Sequence, residues 1–252
     1  MKLLQCIAAG IFAMPALALA IDFDLTDTSG LYDMHREYSA GGINLSVTGY
    51  TGGYYDDRMG REFGSDIHRS AVGAFGRFGL GVERANSPNH AADNSWPNFD
   101  MMLLTFDQAV SLDFASIGWH RNDSDMTILA YTGTGSATDT FAGNKWDQAL
   151  ANDWDGGHFL DVASQGNTAT ANPKGLASTS WLVGTQLWSL DNVDVLSDNP
   201  NRSYGTDYIK LSGISVSAAH SVPEIDASQS GLALGLLMGL IACIRERRRK
   251  IL

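Results

Sequence analysis

Between residues 43 and 216 the chain repeatedly alternates apolar and polar positions, or runs apolar briefly, before breaking at Gly, Asn, Asp or Ser. The runs are Ile43 to Tyr50, Met101 to Phe106, Val110 to Phe114, Ile117 to Trp119, Thr127 to Tyr131, Phe159 to Ala163, Ser180 to Val183, Val193 to Leu196 and Tyr208 to Val216. Rich in β-branched and aromatic residues, they predict strands. Helical spacing fits only Lys145 to Trp154, for one or two turns, and the 27 glycines favour turns over helix interiors. Strands at this spacing predict an all-β domain, an antiparallel β-sandwich of the jelly-roll or carbohydrate-module kind. No long internal repeat is present, which argues against a propeller or solenoid. Tyr50 to Gly81 breaks the pattern by mixing glycine with aromatics, as in Gly52-Gly53-Tyr54-Tyr55 and Gly73-Ala74-Phe75-Gly76. It reads as long loops or edge strands: as exposed loops its rings would suit sugar stacking, as packing segments they would do nothing chemical, and packing is the favoured reading.

The two ends follow a different pattern. Met1-Lys2 precedes an apolar run from Leu3 to Leu19 with small residues at Ala16, Ala18 and Ala20, the arrangement of a signal peptide cleaved before Ile21. At the far end Gly231 to Ile244 is uncharged and is followed at once by Arg245, Arg247, Arg248, Arg249 and Lys250. As a helix over about residues 228–244 it would make a short membrane anchor, and the basic tail 245–252 would hold that end in the cytoplasm. The organisation predicted is therefore a signal peptide (1–20), an exported domain (21–221) and a C-terminal segment (222–252).

Charge and cysteine content sharpen this division. The chain carries a net charge of −11, but its exported part keeps only 11 basic residues against 25 acidic ones, near −14. Such a surface repels phosphate backbones, which excludes nucleic acid as a partner. Cys6 and Cys243, the only cysteines, both fall in the apolar ends. The exported domain therefore has no disulfide, no thiol chemistry and no cysteine-based metal site.

Ahead of the C-terminal apolar run stands Val222-Pro223-Glu224-Ile225-Asp226. This short motif, a Gly/Leu/Ala helix and an Arg-rich tail, in that order, resemble the PEP-CTERM class of sorting signals, in its Val-Pro-Glu-Ile-Asp variant. The segment Leu103 to Leu112, with Ile117-Gly118-Trp119 and Asp123 to Gly133, is similar to one in exosortase-dependent surface proteins of no known activity. The resemblance implies export by the signal peptide, which signal peptidase removes, transient anchoring in the inner membrane, cutting near Val222 to Asp226 by an exosortase, and delivery to the cell surface or medium of a Gram-negative bacterium. It further implies a non-enzymatic surface or biofilm-matrix protein associated with exopolysaccharide.

Candidate chemistry in the exported domain is sparse. Catalytic signatures such as His-Glu-x-x-His and Gly-x-Ser-x-Gly are absent and the six histidines are scattered, so no catalytic residue is assigned. A glycoside hydrolase would need two carboxylates, and with only Glu37, Glu62 and Glu83 as domain glutamates it would lean on Asp. Three Asp/Asn clusters offer the oxygen donors that calcium takes: Asp93 and Asn94 with Asp100, Asp123 with Asp125, and Asp153 and Asp155 with Asp161. Each also reads as a turn whose side chains cap the backbone. Two tryptophans flanked by Asp and Asn, Trp96 and Trp154, offer faces on which a sugar ring of a bound polysaccharide could stack, whereas Trp119 and Trp181 lie in apolar strand patterns expected in the core.

Overall fold

Sixteen strands form among residues 19–26, 32–56, 59–83, 90–187, 190, 194–196 and 206–219, the part of the chain described by a computed structural model. In chain order they are β1 (Ile21–Asp24), β2 (Tyr32–Asp33), β3 (Arg36–Ala40), β4 (Ile43–Gly52), β5 (Tyr54–Asp56), β6 (Arg61–Phe63), β7 (His68–Ala74) and β8 (Leu80–Glu83). The second half holds β9 (Ala92–Asp93), β10 (Phe99–Asn122), β11 (Met126–Tyr131), β12 (Trp154–Phe159), β13 (Thr168–Thr170), β14 (Ser178–Thr185), β15 (Asp194–Val195) and β16 (Asp207–Ala218). One α-helical turn, α1 (Trp146–Ala149), interrupts them. The signal-peptide core, the Val222 to Asp226 motif, the apolar run and the basic tail lie outside the described residues. The chain divides into two units, Met1–Ala219 and His220–Leu252. Among the described residues no helix is long and apolar enough to cross a membrane.

The fold is mostly β, and its pairing corrects the expected two-sheet sandwich. Strand β10 bonds β4, β4 bonds β7, β7 bonds β8, β8 bonds β16, and β16 returns to β10, closing a five-stranded antiparallel barrel. Further strands extend from β10 through β14, β11, β12 and β15. The reason lies in β10 itself. Three of the predicted short strands are one 24-residue strand, whose first half bonds β4 and β14 and whose second half bonds β16. Its register against β16 shifts between Leu112 and Phe114 and again on either side of Ile117. Such bulges add bend and twist, so one strand can serve both the barrel and its extension.

Burial follows from this double duty. Along Phe99 to Leu104 every residue is buried, which an alternating strand with one wet face would not show. Met102, Leu104 and Phe106 face a main core shared with Val47, Leu112, Trp181 and Val216. Phe99, Met101 and Leu103 face a second cluster with Tyr50, Tyr54, Phe141 and Trp146. Each fully buried large side chain contributes roughly 1.5–3 kcal/mol.

The glycine–aromatic stretch supplies much of that second cluster. Tyr54 stacks on Phe99 at 5.1 Å between ring centroids and on Phe63 at 5.4 Å, and Tyr50 meets Phe141 edge-on. Gly53 is required here, because a Cβ would lie 1.8 Å from the Phe63 carbonyl oxygen. Its own carbonyl receives the Trp146 N–H at 3.0 Å, which docks α1. Just before that turn, buried Lys145 reaches Asp66 at 2.9 Å and Glu62 at 3.3 Å. The hydrogen bond that the amine donates to Asp66, ahead of the one to Glu62, holds it above its ordinary range against the opposing effect of burial. Tryptophan placement is mixed: Trp181 and Trp146 are fully buried, whereas Trp119 is only half-buried, its ring 4.4 Å from the Lys210 amine.

Candidate functional site

Where β10 ends, the chain reverses through Asn122 in the left-handed region (φ 63°), a conformation Asn tolerates better than most residues. This turn presents Asp123 at half exposure and sends Asp125 inward, fully buried. The first residue of β16, Asp207, arrives beside them; it is 1% exposed. One carboxylate oxygen from each of Asp123, Asp125 and Asp207 lies within 4.8 Å of the others.

Neighbouring groups hold the three in place. Asn94 clamps Asp207 twice: its Nδ2 donates to Asp207 Oδ2 at 2.6 Å and its Oδ1 accepts the Asp207 N–H at 2.7 Å. The Asp125 N–H approaches Asp207 Oδ1 at 3.3 Å, and Asp125 Oδ1 accepts the Asp161 N–H at 2.6 Å. Asp161 is itself left-handed (φ 49°), so its backbone turns that N–H toward the cluster. From the loop after β14, the Gln186 N–H donates to the Asp125 carbonyl at 3.0 Å. Five segments distant in sequence, at residues 94, 123–125, 161, 186 and 207, thus meet at one point.

The electrostatics of that point are unfavourable for three bare carboxylates. Burial first, then the charges of Asp125 and Asp123, push Asp207 up to about 8. Burial also pushes Asp125 up to about 7; the Asp161 N–H acts against this, while the charges of Asp123 and Asp161 add to it. Like charges removed from water must take up protons or gain a counter-ion. Buried Asp125 Oδ2 has no hydrogen-bond partner among the described residues. Oxygen-only donors of this charge are the set that a hard divalent cation takes.

The structure sorts the calcium candidates. Asp123, Asp125 and, through its backbone, Asp161 converge, and Asn94 joins as the clamp on Asp207. Asp93 lies beside them, opposite Tyr208 in the β9–β16 pair, with its Oδ1 accepting the Ser95 N–H at 2.9 Å. The others lie apart: Asp100 is buried opposite Thr51 in the β4–β10 pair, Asp153 is exposed, and Asp155 is bound to Lys174 at 2.7 Å. Sequence reading missed Asp207, which stands alone between Thr206 and Tyr208 and meets its partners only through tertiary pairing across 82 residues.

The aromatic candidates also separate. Trp96 is 67% exposed and its ring meets Phe63 edge-on at 6.0 Å. Trp154 is half-buried, stacked on Phe141 at 5.9 Å, with its N–H donated to Thr140 Oγ1 at 3.2 Å. Its face is thus occupied by packing.

Comparison with known proteins bears on the C-terminus. Residues 222–250 match the family described as the VPEID-CTERM protein sorting domain. The chain therefore carries a PEP-CTERM-like exosortase sorting signal, which implies an exported, exosortase-processed protein. No curated protein and no solved structure matches the chain.

Proposed function

We propose that the β domain is a non-enzymatic component of the cell surface or extracellular matrix, delivered by the sorting signal and released from its anchor by an exosortase. The observation that carries this reading is the sorting domain at residues 222–250. Several features support it. The domain is strongly acidic, has no cysteine, and ends the last strand among the described residues at Ala218, just short of the processing motif at Val222. The finished globule can thus be parted from its anchor without unravelling a strand. Its setting is the envelope of a Gram-negative bacterium that makes exopolysaccharide, the class of material such a surface protein would accompany. Mass spectrometry of the mature protein from cells with and without exosortase tests the reading. The expected result is a C-terminus within or close to Val222 to Asp226 in the first strain and an intact end at Leu252 in the second. Identical termini in both strains would remove its basis.

A second reading is a polysaccharide-binding module, favoured by the exposed indole of Trp96. A sugar ring stacks its C–H face on such a surface, and the Trp96 ring is braced by Phe63, over which the Arg61 guanidinium lies at 4.7 Å. Replacing Trp96 by Ala is expected to reduce retention on the producer's own polysaccharide at least tenfold while changing stability by less than about 0.5 kcal/mol. Unchanged retention would leave the first reading alone.

A further inference from the structure

We propose that Asp123, Asp125 and Asp207 bind one calcium ion that ties the β10–β11 turn to the start of β16. The geometry is that of a built site. Three carboxylates come within 4.8 Å of one another, and two of them are at most 1% exposed. Within the cluster the positions of the acids are fixed from outside, by Asn94 on Asp207 and by the Asp161 and Gln186 amides on Asp125.

A separate observation points to a ligand. The Asp125 side chain is fully buried, yet its Oδ2 has no hydrogen-bond partner among the described residues. A buried acceptor left without a donor costs about 1–3 kcal/mol, more when it is charged, and that cost is removed when an ion or water outside the protein chain satisfies the group.

The ion is calcium rather than zinc or magnesium. All three side chains offer oxygen, without His or Cys, which disfavours zinc. Asp123 stands half-exposed at the rim, where water can enter the shell, and three protein carboxylates suit calcium, whereas magnesium keeps several waters and is usually held through one or two carboxylates. Calcium sites of extracellular modules have affinities of roughly 10⁻⁴–10⁻³ M, the range expected of this site in an exported protein. With the ion in place, the turn at residues 122–125, the residue-161 bend and the first residue of the closing barrel strand become one cross-linked corner. The inference does not depend on how the C-terminus is processed.

The test is isothermal titration calorimetry of the full chain, purified in mild detergent and freed of metal with EGTA, against calcium chloride and magnesium chloride. One calcium per chain is expected, with magnesium at least tenfold weaker and a rise in Tm of about 5 °C at saturating calcium. The Asp207→Asn and Asp125→Asn variants are expected to lose the binding. Hydrogen exchange on the unmodified chain provides the check that needs no variant: calcium should slow exchange at residues 123–126 and 207–208. Absence of calcium binding by the unmodified chain, binding that survives both substitutions, or slowing confined to other segments would each overturn the proposal.

Discussion

A chain cut short after Ser221 is expected to be exported and folded yet absent from the cell surface. Strand β16 runs Asp207–Ala218, and beyond it the Ala219 N–H donates to the Ala109 carbonyl at 3.2 Å. Removing residues 222–252 therefore takes away neither a strand of the barrel nor that bond. It does take away the whole segment that matches the sorting domain. The processing motif and apolar run disappear together, so retention should fall from nearly complete to background. Cell fractionation with immunodetection, paired with far-UV circular dichroism of the released protein, measures both halves of the result. A cut before Asp207 gives the contrast. That deletion removes β16, which bonds β1, β8, β9 and β10, and leaves a barrel that cannot close. If the chain ending at Ser221 remained at the surface in wild-type amount, some part of the β domain would have to be the anchor.

The contrast between those two deletions tracks what local sequence can express. The sorting segment was legible because its three parts are contiguous: a five-residue motif, an apolar run and a basic tail act through their own chemistry, with no fold needed to assemble them. Strand content was legible for the same reason, since period-two patterning is local. Barrel closure was not. It depends on β10 continuing through Asp107, Gln108 and Asp113, polar positions that look like breaks in the sequence but are exposed or half-exposed points on one strand. β7 and β8 were hidden among glycines, although β7 pairs with β4 and β8 and completes the ring. The acidic cluster was half legible. Asp123 and Asp125 share a turn, but Asp207 reaches them only because β16 pairs with β10 in a register that sets Asp207 against Asn122. Trp119 and Trp146 show the limit for single residues: the apolar-looking strand position is half-buried, while the residue beside Lys145 is fully buried because α1 docks on the second face of β10.

Replacing Trp181 by Ala is expected to have the largest effect on stability of any single substitution considered. Trp181 lies on β14, between Leu104 of β10 and Ala130 of β11, and is fully buried in the main core. Its indole N–H donates to the Val110 carbonyl at 3.3 Å. Val110 sits where the β10–β14 register shifts, so this side chain satisfies a carbonyl at an irregular point of the ladder. Truncation would remove the largest class of core side chain, open a cavity and leave that carbonyl without its indole donor. The expected cost is about 3–5 kcal/mol. In a domain of roughly 5–15 kcal/mol with no disulfide to fall back on, that is a large fraction of the total, equivalent to a Tm lower by about 10 °C. Trp181→Phe keeps most of the buried volume and loses the N–H, so it should cost about 1–2 kcal/mol. Urea unfolding of the purified chain, followed by circular dichroism, measures both, with the midpoint moving and the slope constant. A loss below about 1.5 kcal/mol for the alanine variant would mean that β14 is not the packed strand joining the barrel to its extension, and that the two parts of the sheet hold together by their backbone ladder alone.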